Sequence, residues 1–230
     1  MKRISAVVLL LLASVQSFSQ DSQRPSQPDL PGDLMIDFGL NMWSEDTEKL
    51  RLDLWRSHSL GIYYNKRFRL TDKFSFYTGL GFGIDKYAFN DNFTWLSDSQ
   101  GKISLDTLTG VNLTKNKLVT TYFDIPIEFR FFPTGTVHGE GLFVGVGAIG
   151  GMRVDTNTKI KYLLGESDVK EKLDHRLGVS DLRYGVQARL GFRSFHIYYK
   201  YYFNSVFDGS PDESGRSPSS STIGINFSGF

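Results

Sequence analysis

Cysteine is absent from this 230-residue chain, which excludes a disulfide framework and any thiolate metal site. Neither sign of charge prevails. The 26 basic and 25 acidic residues leave +1, and nothing in that balance points to nucleic acid or another polyanion as partner. Histidine is scarce, with four residues. No metal-ligand spacing and no phosphate-cradling glycine loop is present, so no cofactor or metal is expected. Beyond the first twenty residues there is no apolar run of the ~18 residues that a membrane-crossing helix needs. An exported chain without disulfides must be held by its own hydrogen bonds and packing, a demand that a closed barrel meets.

Those first twenty residues read MKRISAVVLLLLASVQSFSQ. Lys2 and Arg3 form a basic start, Ala6 to Ala13 an apolar stretch, and Ser17-Phe18-Ser19 a small-residue cleavage pattern. The expectation is a secretory signal over residues 1–19, with cleavage near Ser19 or Gln20, rather than a retained anchor. The mature chain of roughly 210 residues fits one barrel domain. Without Lys2 and Arg3 the count is 24 basic against 25 acidic, or −1. Residues 20–33 (QDSQRPSQPDLPGD) read as a flexible periplasmic leader, and 34–230 as the barrel.

Aromatics are abundant at 14%, with 19 Phe and 11 Tyr, as suits strands and membrane interfaces. The stretch DLRYGVQARLGFRSFHIYYKYYFNSVF, Asp181 to Phe207, sets the pattern. Leu182, Tyr184, Val186, Ala188, Leu190 and Phe192 alternate with Arg183, Gly185, Gln187, Arg189, Gly191 and Arg193. After a tight turn, Phe195, Ile197, Tyr199, Tyr201 and Phe203 alternate with His196, Tyr198, Lys200, Tyr202 and Asn204. A period of two puts each row on one face of a strand. This is a hairpin between a greasy and a charged environment, as in a transmembrane β-barrel with lipid outside and a polar interior.

The same alternation predicts strands over 34–42, 59–68, 74–88, 118–132, from 141 past 154, and 221–230, making eight with the hairpin. Leu52 to Trp55 could extend a strand, and Phe89 to Lys117 could hold a small hairpin. Asp155 to Ser180 reads as a charged loop and Asp208 to Ser219 as a loop by composition. The connections alternate long and short, the pattern of bacterial outer-membrane barrels with short periplasmic turns and long extracellular loops. The expected fold is all-β: an eight-stranded antiparallel up-and-down transmembrane β-barrel. A soluble lipocalin-like barrel shares the periodicity but has no need for that alternation of loop lengths. Many strand glycines, among them Gly39, Gly83, Gly145 and Gly224, fall on the polar row, where small residues relieve crowding in a narrow interior.

The signal, the hairpin repeat, Asp124-Ile125-Pro126-Ile127-Glu128 and a terminal Phe resemble the small outer-membrane β-barrel proteins common in Bacteroidetes, often labelled porin family. The resemblance implies outer-membrane location, lipid contact and recognition of the last strand by the barrel assembly machinery. In that strand Ile223, Ile225 and Phe227 alternate, but Phe230 falls on the opposite row, and a bulge near Ser228-Gly229 would restore it.

The interior row carries Asp37, Asp85, Asp124 and Glu128 with Arg130, Arg153, Arg183, Arg189, Arg193 and Lys200. Buried charges must be paired. An ionic cluster of Asp37, Asp124, Glu128, Arg130, Arg183, Arg189 and Lys200 is therefore expected to plug the lumen, with Glu128 bonding Arg189 or Lys200 and Asp37 joining. The expected function is a non-enzymatic scaffold, adhesion or envelope-interaction barrel with an unidentified extracellular or envelope partner. A narrow transport role is the first alternative. The second is a lipid A-modifying enzyme at the outer rim, where Ser57, His58 and Ser59 lie near Asp53; neighbouring strand residues point to opposite faces, so that run makes no catalytic set by itself. His138 and His175 fall in loops and read as solvated, and His196 as an interior histidine.

Overall fold

A computed structural model describes residues 32–44, 51–90, 93–97, 103–107, 113–134, 141–164, 167–173, 178–209 and 217–229. The signal and almost all of the leader, together with His138, His175 and Phe230, lie outside the described residues. Residues 32–230 form one compact unit. Its first strand opens at Asp33, one residue inside the expected leader.

Among the described residues eleven strands follow one another: β1 (Asp33–Trp43), β2 (His58–Arg69), β3 (Phe74–Ala88), β4 (Phe93–Ser97), β5 (Ile103–Thr107), β6 (Leu113–Phe131), β7 (Leu142–Leu164), β8 (Ser167–Leu173), β9 (Leu182–Phe192), β10 (Phe195–Ser205) and β11 (Ser219–Ser228). Eight of them close a ring in chain order, β1-β2-β3-β6-β7-β9-β10-β11, and β11 returns to β1. Every pairing is antiparallel. The architecture is a closed up-and-down barrel of eight strands, which leaves no free edge.

Alternation decides which way each side chain faces. In β9 the even-numbered residues are exposed and the odd-numbered ones buried without exception, and β10 keeps the same rhythm from Phe195 to Phe203. The outward rows are apolar: Phe74, Leu80, Phe82 and Ile84 on β3, Ile125, Ile127, Phe129 and Phe131 on β6, and Ile197 and Phe203 on β10 are all exposed. From Phe74 to Ile84 is ten residue steps, about 34 Å along the strand at ~3.4 Å each and roughly 26 Å of height at a tilt near 40°, the height of an apolar membrane band. Aromatic rings pair across strands at the end carrying the short turns, Phe74 on Phe131 at 4.8 Å and Phe195 on Phe227 at 5.7 Å between centroids. A soluble barrel would have its polar row outside; this polarity is reversed.

Pro126 interrupts one ladder. The β3–β6 pairs run from Phe74↔Phe131 to Thr78↔Ile127 and resume at Gly81↔Asp124. Proline has no N–H to give to a neighbouring strand. Pairing of β6 with β7 continues through the same place.

Three expectations need correction. Leu52–Trp55 does not extend a strand: Leu54–Arg56 is a single 3-10 turn capped by the Asp53 side chain, with one bridge from Leu52 to Phe89. The segment 155–180 is not simply a loop, because β7 runs on to Leu164 and β8 pairs back onto it. Arg153 keeps to the inward row, opposite Tyr122, but above the central cluster. A register shift opposite Thr121 and Tyr122 leaves Val154 outside the regular pairing, and Arg153 bonds Asp181 and Thr156 near the rim. Arg193 is exposed in the β9–β10 turn at φ 55°, because a two-residue hairpin needs positive φ there, not an inward side chain.

β11 stays in register with β1 as far as Met35↔Ser228. Gly229 follows at φ +88° with its N–H still donating to the Leu34 carbonyl oxygen at 3.2 Å.

Candidate functional site

The short turns and the start of β1 share one end of the barrel, and the long connections share the other. Among the described residues, the lumen between them contains four acids and four bases, all buried: Asp37, Asp85, Asp124 and Glu128 with Arg130, Arg183, Arg189 and Lys200. The set is therefore charge-balanced. Inward residues on one strand stand two or four positions apart, as in Asp124, Glu128 and Arg130 on β6, Arg183, Gln187 and Arg189 on β9, and Tyr198, Lys200 and Tyr202 on β10.

Near the short turns, Arg189 stands between two acids. Its Nε donates to Glu128 at 2.9 Å, and its terminal nitrogens reach the Asp37 carboxylate at 3.1 and 3.3 Å. Glu128 also accepts from Arg130 and from Gln187 Nε2 at 2.9 Å. Lys200 Nζ donates to Asp37 at 2.7 Å, and Asn226 completes that carboxylate's partners. Glu128 thus takes Arg189, while Lys200 goes to Asp37.

Toward the long loops, Arg183 holds both Asp124 and Asp85. Its Nε lies 2.9 Å from Asp124 Oδ1, and its terminal nitrogens reach Asp124 Oδ2 and Asp85 Oδ2. Asn41 donates to Asp85 at 3.2 Å and accepts from the Thr222 hydroxyl at 2.7 Å. Tyr63 links the two halves, donating to Asp124 at 3.1 Å and accepting from Lys200 at 3.1 Å. One hydrogen-bonded chain therefore runs from Thr222 to Arg130.

Aromatic faces flank the cations. Arg183 lies 4.2 Å from the Tyr122 ring centre and 4.8 Å from that of Tyr202. Arg130 lies 4.0 Å from Tyr77 and 4.5 Å from Phe143. Such stacking adds attraction where water is excluded. Glycine makes room for it. A Cβ on Gly145 would come within 2.8 Å of Glu128 Oε1, and one on Gly39 within 2.6 Å of the Tyr198 hydroxyl.

Both mouths are narrowed further. At the turn end His196 is buried, with Nε2 3.0 Å from the Arg193 carbonyl oxygen and its ring edge-on to Phe143 at 4.7 Å. At the loop end the inward rows change from polar to apolar. Tyr87, Phe89, Phe93, Leu118, Ile160, Val179, Val206 and Phe207 form one buried cluster, against which Trp43 and Leu52 pack. Sequence reasoning missed this cap. Its signal was on β3, where inward Asp85 is followed by inward Tyr87.

The rim residues considered for catalysis do not converge. Ser57 is buried and exchanges hydrogen bonds with Ala88, its hydroxyl lying 3.0 Å from Ala88 N. His58 is exposed on the outer wall. Asp53 caps its own turn. Among the described residues no His, Cys, Asp and Glu group has metal-binding geometry.

No protein-family model and no curated protein matches the chain. Among solved structures it is similar to Ail, the attachment invasion locus protein of Yersinia pestis, with 11% identity, 86% of this chain and 97% of that one covered, and a TM-score of 0.37. It is also similar to the N-terminal β-barrel domain of Pseudomonas aeruginosa OprF, with 11% identity over 86% and 98% and a TM-score of 0.28. A Rhodopseudomonas blastica porin triple mutant follows at 12% identity, 86% and 98% coverage, and 0.21. At these scores the assignment of the fold rests on this chain's own closed strand ladder.

Proposed function

We propose that this chain is an integral outer-membrane protein whose barrel is a closed anchor, and that its extended strands and long loops serve adhesion, scaffolding or another envelope contact. The observation that carries the reading is the reversed polarity of the wall. An apolar outer band of membrane height surrounds a balanced ionic interior. Outer-membrane lipid is the partner of that band, and the resemblance to small outer-membrane barrels adds the assembly machinery as the agent of insertion. The occupied lumen argues against a solute path, and the divergence of Ser57, His58 and Asp53 argues against rim catalysis.

Membrane fractionation with gel migration before and after heating tests the reading. An integral barrel resists carbonate extraction and migrates differently unheated. Release by carbonate, with identical migration heated and unheated, would overturn it. Proteolysis of intact cells checks orientation. Cutting is expected within Asn90 to Lys117 or Asp208 to Ser219, and cutting only at the short turns would reverse the topology.

A further inference from the structure

The outer wall is not smooth. A groove of about 770 Å³ crosses β10, β11, β1, β2 and β3 within the apolar band, a volume in the ~300–1,000 Å³ range of ligand clefts. Register explains it. Ile197 pairs with Ile225, Ile225 with Phe38, Phe38 with Leu60 and Leu60 with Ile84, making one outward row. Above that row Ile223 pairs with Leu40 and Leu40 with His58, and Lys86 follows two residues after Ile84. Between the two rows Gly39 lies opposite both Gly224 and Ser59. These three belong to the inward row, yet unlike Asp37, Asn41 and Asn226 they are partly exposed, because the groove uncovers their backbone. On β3, by contrast, Gly81 and Gly83 flank Phe82, whose ring packs on Phe123, and both glycines are buried.

The groove has a direction. Ile197 stands two residues into β10 from the short-turn end, and Ile84 ten residues into β3. Four strand spacings of ~4.8 Å make ~19 Å, and at a tilt near 40° the row climbs ~12 Å, most of one ~15 Å leaflet. The low end is wholly apolar, and the high end carries Lys86 and His58. Lys86 lies ~5 Å above Ile84 at ~3.4 Å per residue and that tilt. Head groups occupy ~5–8 Å beyond the hydrocarbon, so Lys86 stands at the depth of lipid phosphates. Trp55 is exposed on the turn before β2, as suits an indole at an interface. Lys86 forms no ion pair among the described residues, which leaves its charge for a ligand.

We infer that this groove holds one acyl chain of an anionic glycerophospholipid, with the lipid's phosphate at Lys86 and His58. The inference rests on the outer-membrane reading above and narrows its lipid contact to one place and one head group. Lipid tails gain little by exchanging places on an apolar wall, so selectivity comes from the head. One cation and one imidazole match a single phosphate, and one groove matches a single chain. A glycolipid with several phosphates and chains asks for more of both.

The test uses the full chain refolded into phosphatidylcholine nanodiscs. These contain a trace of phosphatidylglycerol or of phosphatidylcholine with a photoreactive diazirine in its acyl chain. Peptide mapping after illumination locates the label. In wild type the phosphatidylglycerol probe should label residues 38–40, 58–60 and 223–225 roughly fivefold more than the phosphatidylcholine probe. Lys86→Gln should remove that preference. Lys66→Gln, outward at the opposite end of the band, should keep it. Ile225→Trp fills the groove and should reduce labelling there by both probes. Heat-dependent migration of each sample reports an intact barrel, so a failure here is separable from failure of the outer-membrane reading. Preference surviving in Lys86→Gln would overturn the inference. So would equal labelling of the groove and of Ile127 and Val146 on the far wall. Displacement of the phosphatidylglycerol probe by an equal amount of purified bacterial glycolipid would also overturn it, by giving the groove a different occupant.

Discussion

The Tyr63 hydroxyl donates to Asp124 Oδ2 across the lumen at 3.1 Å, joining residues 61 positions apart in the chain. Because Lys200 donates to the same hydroxyl at 3.1 Å, this one phenol connects the Arg183 half of the network to the Arg189 half.

Tyr63→Phe keeps the ring and removes the link. Asp124 loses a donor and Lys200 an acceptor, both buried. The variant should lose about 1–3 kcal/mol of stability, read as a lower urea midpoint for the barrel refolded in vesicles. An unchanged midpoint would remove Tyr63 as the joint.

Glu128 and Arg189 should behave as a coupled pair. Glu128→Gln alone leaves Arg130 and Arg189 with less compensation and should cost roughly 3–5 kcal/mol. In a cycle with Arg189→Met, the coupling should be about 0.5–3 kcal/mol. The cycle with Lys200→Met should show less, because Lys200 bonds Asp37 rather than Glu128. Stronger coupling to Lys200 than to Arg189 would contradict the observed pairing.

Much of this was legible in the sequence. Strict alternation in β9 and β10 set inside against outside, and residues two apart on one row had to share the lumen. The partner chosen by each charge was not legible, because barrel shear sets relative heights that no single strand encodes. Arg193 was misread because a tight turn uses its residue for backbone geometry. Arg153 lies on the inward row ahead of the irregular pairing at Val154, but its height, which lets it bond Asp181 rather than the central acids, was not legible from one strand. β8 was missed because its Lys-x-Lys alternation carries little apolar signal and reads as a polar loop.

Glycine position should matter by face. Gly39→Ala would push a methyl against the Tyr198 hydroxyl at 2.6 Å and the Ile223 carbonyl oxygen at 2.9 Å, whereas nothing lies within 4 Å of a Cβ on Gly150. The first change should destabilise by about 1–3 kcal/mol, and the second should stay within about 0.5 kcal/mol of wild type. Thermal scans of both variants in one detergent make the comparison, and equal losses would refute the crowding argument.

Ile127 faces outward near the middle of the apolar band. Ile127→Arg should cost about 2–4 kcal/mol in a bilayer. In a soluble barrel an exposed arginine would cost almost nothing. Urea unfolding of both proteins from lipid vesicles distinguishes the two, and a neutral substitution would place Ile127 in water.

The closed lumen is the central claim, and single-channel recording of the heat-modifiable, bilayer-inserted protein tests it most directly. A lumen filled by paired charges beneath an apolar cap should give no stable openings across the voltage range in which porins conduct. Discrete, long-lived openings in wild type, which Glu128→Gln or Arg189→Met changes in size, would contradict it by showing that ions pass through the network.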